Sequence, residues 1–320
     1  MYIQDPPFCL QLELTQGCSM RCPFCAVTYV YPKNSYKYMT LDTAELIAER
    51  LKESGWNCRI EFAMHGEPMQ NDNWDRIISI IRNKNPKLQI MMLTNGVEVV
   101  NKGLENIGTR FFKAGGNILG IELYNADYSE AILSDIDVYG LDECFTIRHY
   151  PADLKGNPHQ RTSSKFITLI SNIAETEHGT HSKLSNHAGM CGELDYSADK
   201  KPCVKPFREM GICYDGSVNI CCNDFAAQCV IGNVKDKSLN EIWNSDILHA
   251  YRRMLLSEGH KLRPCRGCDY TGYRIGLLPD KLGKQVLDAF SPADEQLITQ
   301  NLTPVKTANK TVNRRFEDAR

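Results

Sequence analysis

Cys18, Cys22 and Cys25 are spaced CxxxCxxC, directly after a stretch, residues 9–15, that alternates with the period of a strand. Three thiolates at that spacing can hold three irons of a four-iron cube and leave the fourth open. Such cubes normally take four cysteines, so an open iron is a place for a small molecule to bind through its own heteroatoms. The competing reading is a zinc site or three packed thiols. Zinc takes four tetrahedral ligands, commonly in CxxC pairs, and His65 is a possible fourth. Cys203, Cys213, Cys221, Cys222, Cys229, Cys265 and Cys268 crowd the last third of the chain, with Cys265 and Cys268 forming a CxxC pair. A four-cysteine zinc ribbon shares that pairing. Cys222 stands beside Cys221 and is read as free, either a small buried thiol or a reactive one. Cys213 and Cys229 pose the same question more weakly. Cys9, Cys58 and Cys144 lie on or beside expected strands and read as core residues, and Cys191 stands alone.

The surrounding composition narrows what these thiols do. The chain has 320 residues, 37 basic and 39 acidic, for a formal net charge of -2. That balance gives no broad basic nucleic-acid surface. No apolar run reaches the roughly 18–20 residues that span a bilayer. The opening MYIQDPPFCL lacks a basic region followed by an apolar one, so no secretory signal is expected. A cytoplasmic location follows as the expectation, and there thiols stay reduced. Fourteen cysteines in that setting point to metal or iron–sulfur ligation first, catalysis second and packing third.

Elements that would position the cysteines alternate along the chain. Strands are expected at residues 9–15, 59–64, 88–93, 118–123, 143–148 and 166–170. Helices are expected at 40–54, with Asp42 and Glu45 spaced as a capping box and Gly55 as the stop, and at 74–82, 97–107 and 128–133. Strands alternating with helices imply a parallel sheet with crossovers. Residues 150–164 break the rhythm and read as a long functional loop or lid. Residues 178–199 read as a loop-rich bridge, and 280–320 as a helical or partly disordered tail.

The aromatic Phe24 before the last cysteine, on the loop after the first strand, makes this motif resemble that of the radical SAM superfamily. The resemblance implies a barrel of about six βα units and S-adenosylmethionine (SAM) bound to the open iron. It also implies SAM cleavage to a 5′-deoxyadenosyl radical that takes a hydrogen from substrate. Other positions are similar to the family's in the same register. His65-Gly66-Glu67-Pro68 stands where the family carries a GGE-like motif that receives the SAM amine, with His65 in place of the first glycine. Thr94-Asn95-Gly96 ends the third strand, and Arg148, at the end of the fifth, is placed to pair with the SAM carboxylate. Cys203, Gly216 and Cys221, with IGNVKDKSLNEIW after them, resemble the opening of the SPASM and twitch extensions. No cysteine follows Cys268, so the resemblance implies one auxiliary [4Fe–4S] cluster on Cys203, Cys221, Cys265 and Cys268. The spacing is similar to that of twitch-type aminocyclitol dehydrogenases.

The expected architecture is therefore α/β: a partial (β/α)5-6 TIM-like barrel at 1–190, a small α+β twitch/SPASM-like Fe–S extension at 191–280, and a tail at 281–320. The expected enzyme is a radical SAM oxidoreductase or isomerase of dehydrogenase or epimerase type. In related epimerases a free cysteine returns a hydrogen atom, a part Cys222 could play. A flavodoxin or ferredoxin is the expected electron donor. The substrate class is open among small molecules, modified nucleotides and peptides. Tyr29, Glu122, Asn125, His149, Arg161 and Asp224 are candidate substrate contacts, each also explicable as a cap or surface residue. The alternatives are a peptide maturase, for which no N-terminal recognition domain is expected, and a non-catalytic Fe–S or zinc protein.

Overall fold

The computed structural model describes residues 5–171, 185–272, 289–305, 307, 309, 312 and 313. The chain opens with β1 (Cys9–Leu12), a short hairpin of β2 (Thr15–Gln16) and β3 (Lys37–Tyr38), and between those two the turn α1 (Val27–Val30). Five alternating elements follow: α2 (Leu41–Ser54), β4 (Arg59–Phe62), α3 (Trp74–Lys84), β5 (Gln89–Thr94) and α4 (Val97–Lys102). Next come α5 (Leu104–Ala114), β6 (Ile118–Glu122), α6 (Ala126–Tyr139), α7 (Leu141–Cys144), β7 (Ile147–Tyr150) and β8 (Phe166–Ile170).

The expected helix at 97–107 is two helices, because Gly103 takes a φ of +82° that breaks the ladder between them. The short helix expected at 128–133 runs for 14 residues from its Asn125 cap. The first long helix is capped by Thr40, whose side chain accepts from Thr43 N, rather than by the Asp42 and Glu45 pair.

Strands β1, β4, β5 and β6 pair in parallel and in order. Their alternate residues face two ways. Leu10, Leu12, Ile60, Phe62, Ile90, Met92, Leu119 and Ile121 join the core under the helices. Met91 and Ile118 pack on the other face with Phe166. Fully burying each large side chain contributes about 1.5–3 kcal/mol. The order of the last two strands departs from a simple barrel: β8 pairs with β6, and β7 lies outside it at the edge. The expected long loop, with one 3-10 turn at Leu154–Gly156, joins these two parallel neighbours without a crossover helix.

The cysteine-rich third continues the same sheet. After α8 (Lys205–Arg208), β9 (Glu209–Ile212) pairs in parallel with β1 on the side opposite β4. Then β10 (Ser217–Asn219) and β11 (Val230–Asn233) extend it antiparallel, completing nine strands. Helices α9 (Leu239–Trp243) and α10 (Asp246–Ser257) cover them.

Part of the expected bridge (178–184) and of the expected tail (280–288, 306, 308, 310, 311 and 314–320) lies outside the described residues. The rest of the tail begins with a docked helix, α11 (Pro292–Gln300), packed on α10 through an Arg253–Asp294 pair. Beyond it, Val305 and Val312 pack with Ala26, Val27 and Val30 of the cysteine loop. Cys9 and Cys58 are core residues as expected. Cys144 is exposed, because α7 lies on the outer surface.

Candidate active site

One rung of parallel ladder fixes the cysteine loop. Gly17 N donates to His65 O (2.9 Å), and Glu67 N donates to Gly17 O (3.1 Å). The backbones meet so closely that a Cβ on Gly66 would lie 2.2 Å from Thr15 O and 2.3 Å from Gly17 O. Only glycine allows this approach.

The next residue ties two strand ends together. Glu67 is 3% exposed. Its carboxylate accepts from Met69 N (3.0 Å), Thr94 Oγ1 (2.8 Å) and Asn95 N (2.8 Å). Burial pushes its pKa up to about 7 against those bonds. Asn95 Nδ2 in turn donates to Cys18 Sγ at 3.3 Å. Thus the GEP and TNG segments form one bonded unit with the cysteine loop.

That unit walls a cleft at the C-terminal ends of β4, β5 and β6, with about 710 Å³ of empty volume including its open mouth. Cys18, Cys22, Cys25, Phe24, Gly66, Glu67, Thr94, Asn95 and Glu122 line it, together with Met20, Met64, Leu93 and Tyr124. The C-terminal face of a βα barrel is where reacting groups gather. Phe24 packs against Tyr124 with ring centroids 5.3 Å apart.

Several expected residues are not on the cleft wall. Pro68 starts the turn behind Glu67. Arg148 lies over the Phe166 ring at 4.3 Å, because β7 is displaced to the edge by β8. Of the six candidate substrate contacts, Glu122 alone lines the cleft. Tyr29 donates to Pro23 O, Asn125 caps α6, and His149 is exposed on the edge strand. Arg161 donates to Asn57 O, and the Asp224 carboxylate is fully buried against Gln228 N and Cys229 N. Met64 and Tyr124 were missed. The signal for Met64 is its place at the strand end just before the HGEP segment, where it adopts a φ of +87°.

Burial pushes the thiols of Cys18 and Cys25 up to about 12 and that of Cys22 to about 11. In the second set, burial likewise raises Cys203, Cys265 and Cys268. Cys221 is raised by its bond to Cys222 and by burial. The Lys205 ammonium opposes the rise at Cys203, Cys221 and Cys268. Buried thiols need a metal to become thiolates.

A single tetrahedral zinc with sulfur at about 2.3 Å would draw its sulfurs to within about 4 Å of one another. Among the described residues, the one trio of ligand atoms within 4.8 Å is Glu13, His65 and Cys213, so neither cysteine set is that compact.

The Glu13, His65 and Cys213 trio is closed by hydrogen bonds. His65 Nδ1 meets Glu13 Oε1 and Nε2 meets Cys222 O, each at 2.9 Å. The Cys222 carbonyl can only accept, so Nε2 carries a proton toward it. Burial alone would lower the His65 pKa. The Glu13 bond and charge and the Cys222 carbonyl outweigh it and raise it. His65 therefore joins the loop after β4 to the second cysteine loop, with both ring nitrogens already engaged rather than free for zinc.

Glu122 gives a pH prediction. Its Oε2 is buried without a hydrogen-bond partner, and burial raises its pKa to about 8. Between the ordinary carboxylate value of 4.5 and about 8 the folded chain holds a proton that the unfolded chain has lost. Stability therefore falls as pH rises through that window. Glu122→Gln removes this titration, so the melting temperature of the ligand-free protein should decline less between pH 5 and pH 8 than in wild type. An unchanged decline would refute the assignment.

Comparison with known proteins agrees with this arrangement. Residues 12–123 match the model of the radical SAM superfamily, and residues 203–269 match that of the SPASM iron-sulfur cluster-binding domain. The chain is 21% identical over 272 residues to the S-adenosyl-L-methionine-dependent 2-deoxy-scyllo-inosamine dehydrogenase of Niallia circulans, covering 81% of this chain and 92% of the relative. It is 23% identical over 365 aligned residues to the PqqA peptide cyclase of Gluconobacter oxydans (strain 621H), covering 96% and 98%. The solved structure of BtrN in complex with AdoMet and 2-DOIA shares the fold, with a TM-score of 0.62 at 20% identity, covering 83% of this chain and 94% of that one. Native anSMEcpe with bound AdoMet superposes at 0.52 with 13% identity, covering 92% and 100%. No described helix is long and apolar enough to cross a membrane. The chain belongs to the radical SAM superfamily, with a SPASM domain after the partial barrel, and its cofactors are SAM and [4Fe–4S] clusters.

Proposed function

We propose that this chain is a radical SAM dehydrogenase that oxidises its substrate by two electrons. Cys18, Cys22 and Cys25 hold the SAM-side cluster, and Cys203, Cys221, Cys265 and Cys268 hold one auxiliary cluster. When bound, the SAM-side cluster and SAM supply a 5′-deoxyadenosyl radical. The chain's own residues do the rest. Gly66 lets the SAM-side loop approach the cysteines, Glu67 and Thr94 fix the cleft wall, and Asn95 donates to the Cys18 sulfur. Phe24 and Tyr124 give the cleft an apolar side. In a two-electron oxidation the substrate would lose a hydrogen atom to the 5′-deoxyadenosyl radical and a proton to solvent, and an auxiliary cluster held by Cys203, Cys221, Cys265 and Cys268 would supply the acceptor for the second electron. A flavodoxin- or ferredoxin-type donor supplies the electron that starts the cycle.

One observation carries the preference for oxidation over epimerisation. Epimerisation needs a hydrogen donor at the substrate, and Cys222 is the candidate. Its thiol is bonded to Lys205 Nζ at 3.0 Å and is absent from the cleft wall. The likeness to the Niallia circulans dehydrogenase supports the same preference. A peptide substrate is the second reading, favoured by the likeness to the PqqA peptide cyclase.

Anaerobically reconstituted protein is expected to carry about eight iron and eight sulfide per chain. After dithionite reduction it should release 5′-deoxyadenosine from SAM. Absence of that product from fully loaded protein would sink the proposal.

A further inference from the structure

Lys205 is the only lysine in the buried set of the described residues, 7% exposed. Its Nζ lies 2.6 Å from Glu209 Oε2, 3.0 Å from Cys222 Sγ and 4.9 Å from the centre of the Tyr270 ring. These contacts place it among three chain segments. Lys205 follows Cys203 by two residues, Cys222 adjoins Cys221, and Tyr270 follows Cys268 by two. All three segments that carry the auxiliary cysteines converge on one ammonium. Glu209 is itself held by Gln11 Nε2 at 3.3 Å, so the cation is fixed from the sheet side.

A buried ion pair of this kind adds little stability, since desolvation offsets the attraction between its members. What it does supply is a fixed positive charge where the second cysteine set gathers. Each electron added to a four-thiolate cluster makes it more negative, so a nearby cation favours the reduced state. Net charge, hydrogen bonds to sulfur and solvent exposure set the potential of such clusters.

We propose that Lys205, held by Glu209, is a positioning residue that raises the reduction potential of the auxiliary cluster and so equips it to take the substrate's electron. This rests on the auxiliary ligand set proposed above.

The test is a potentiometric titration of the reconstituted holoenzyme followed by electron paramagnetic resonance, with iron counted first. In Lys205→Met the auxiliary signal should titrate at lower potential. At a fixed potential the ratio of reduced to oxidised cluster should fall tenfold or more, about 59 mV for one electron, while the SAM-side signal stays in place. Lys205→Arg keeps the charge and should stay close to wild type. Glu209→Gln leaves the cation unopposed and should move the auxiliary midpoint up.

A fully loaded Lys205→Met protein with a wild-type midpoint overturns the inference. So does an equal shift of both clusters. If Lys205→Met fails to take up iron, Glu209→Gln decides alone, and a midpoint that does not rise overturns the inference. Wild-type protein with only about four irons would instead sink the auxiliary ligand set.

Discussion

Replacing Cys22 by alanine is expected to abolish SAM cleavage while leaving the fold in place. The thiol stands on the cleft wall, and burial keeps it protonated until metal binds. The backbone around it does not depend on the sulfur. Cys22 O accepts from Thr28 Oγ1 at 2.8 Å and from Cys25 N at 3.1 Å, and Arg21 donates to Tyr31 O at 3.1 Å. The loop is also pinned by the Gly17 and His65 rung. The melting temperature should therefore stay within a few degrees of wild type, since the lost side chain is only half-buried. Iron should fall from about eight to about four per chain, the remainder being the auxiliary cluster. Formation of 5′-deoxyadenosine should drop to background, and alanine at Cys18 or Cys25 should do the same. Wild-type levels of 5′-deoxyadenosine from the Cys22 variant would refute the site.

Gly66→Ala should harm both stability and SAM binding through one methyl group. The new Cβ would press into Thr15 O and Gly17 O, more than an ångström inside ordinary contact. Both are backbone atoms and cannot rotate away. Either the Gly17 rung breaks or the β2 turn shifts, and each route displaces Cys18. Overpacking of this kind costs about 3 kcal/mol, several degrees of melting temperature for a chain of this size. SAM affinity, measured by calorimetry on the reconstituted protein, should weaken tenfold or more. The serine variant should behave alike, since the clash is at Cβ. Wild-type affinity and melting temperature in Gly66→Ala would show that the close approach is not required.

The strands around the site were legible in the sequence because buried parallel strands leave short apolar runs between helices. Residues 166–170 match β8 exactly in extent, and Thr94-Asn95 ends β5 as expected. The cleft was legible too, since the cysteines, Gly66, Glu67, Thr94 and Asn95 are local in sequence and their neighbours follow from strand order. What failed depended on pairing that no local pattern encodes. Arg148 was expected at the site because chain order was taken as spatial order. Insertion of β8 between β6 and β7 moves it sideways. Glu13 was read only as part of an alternating strand. Its role emerges when β9 brings Tyr214 to one oxygen and the loop after β4 brings His65 to the other. Cys222 was singled out for its neighbour, but Lys205, which engages its thiol, lies seventeen residues away.

The pairing of β9 with β1 also bears on how the molecule is made. Gln11 and Glu209 touch although they are 198 positions apart. Closing a loop of that length costs about 5 kcal/mol of chain entropy, and parallel pairings at such separation form slowly. Synthesis runs from the N-terminus, so the wall of the SAM cleft is complete once Tyr124 has been made. The second cysteine set waits for Cys268 and for the late docking of β9 on a strand whose other edge is already taken by β4. Through most of translation β1 thereby keeps one open edge.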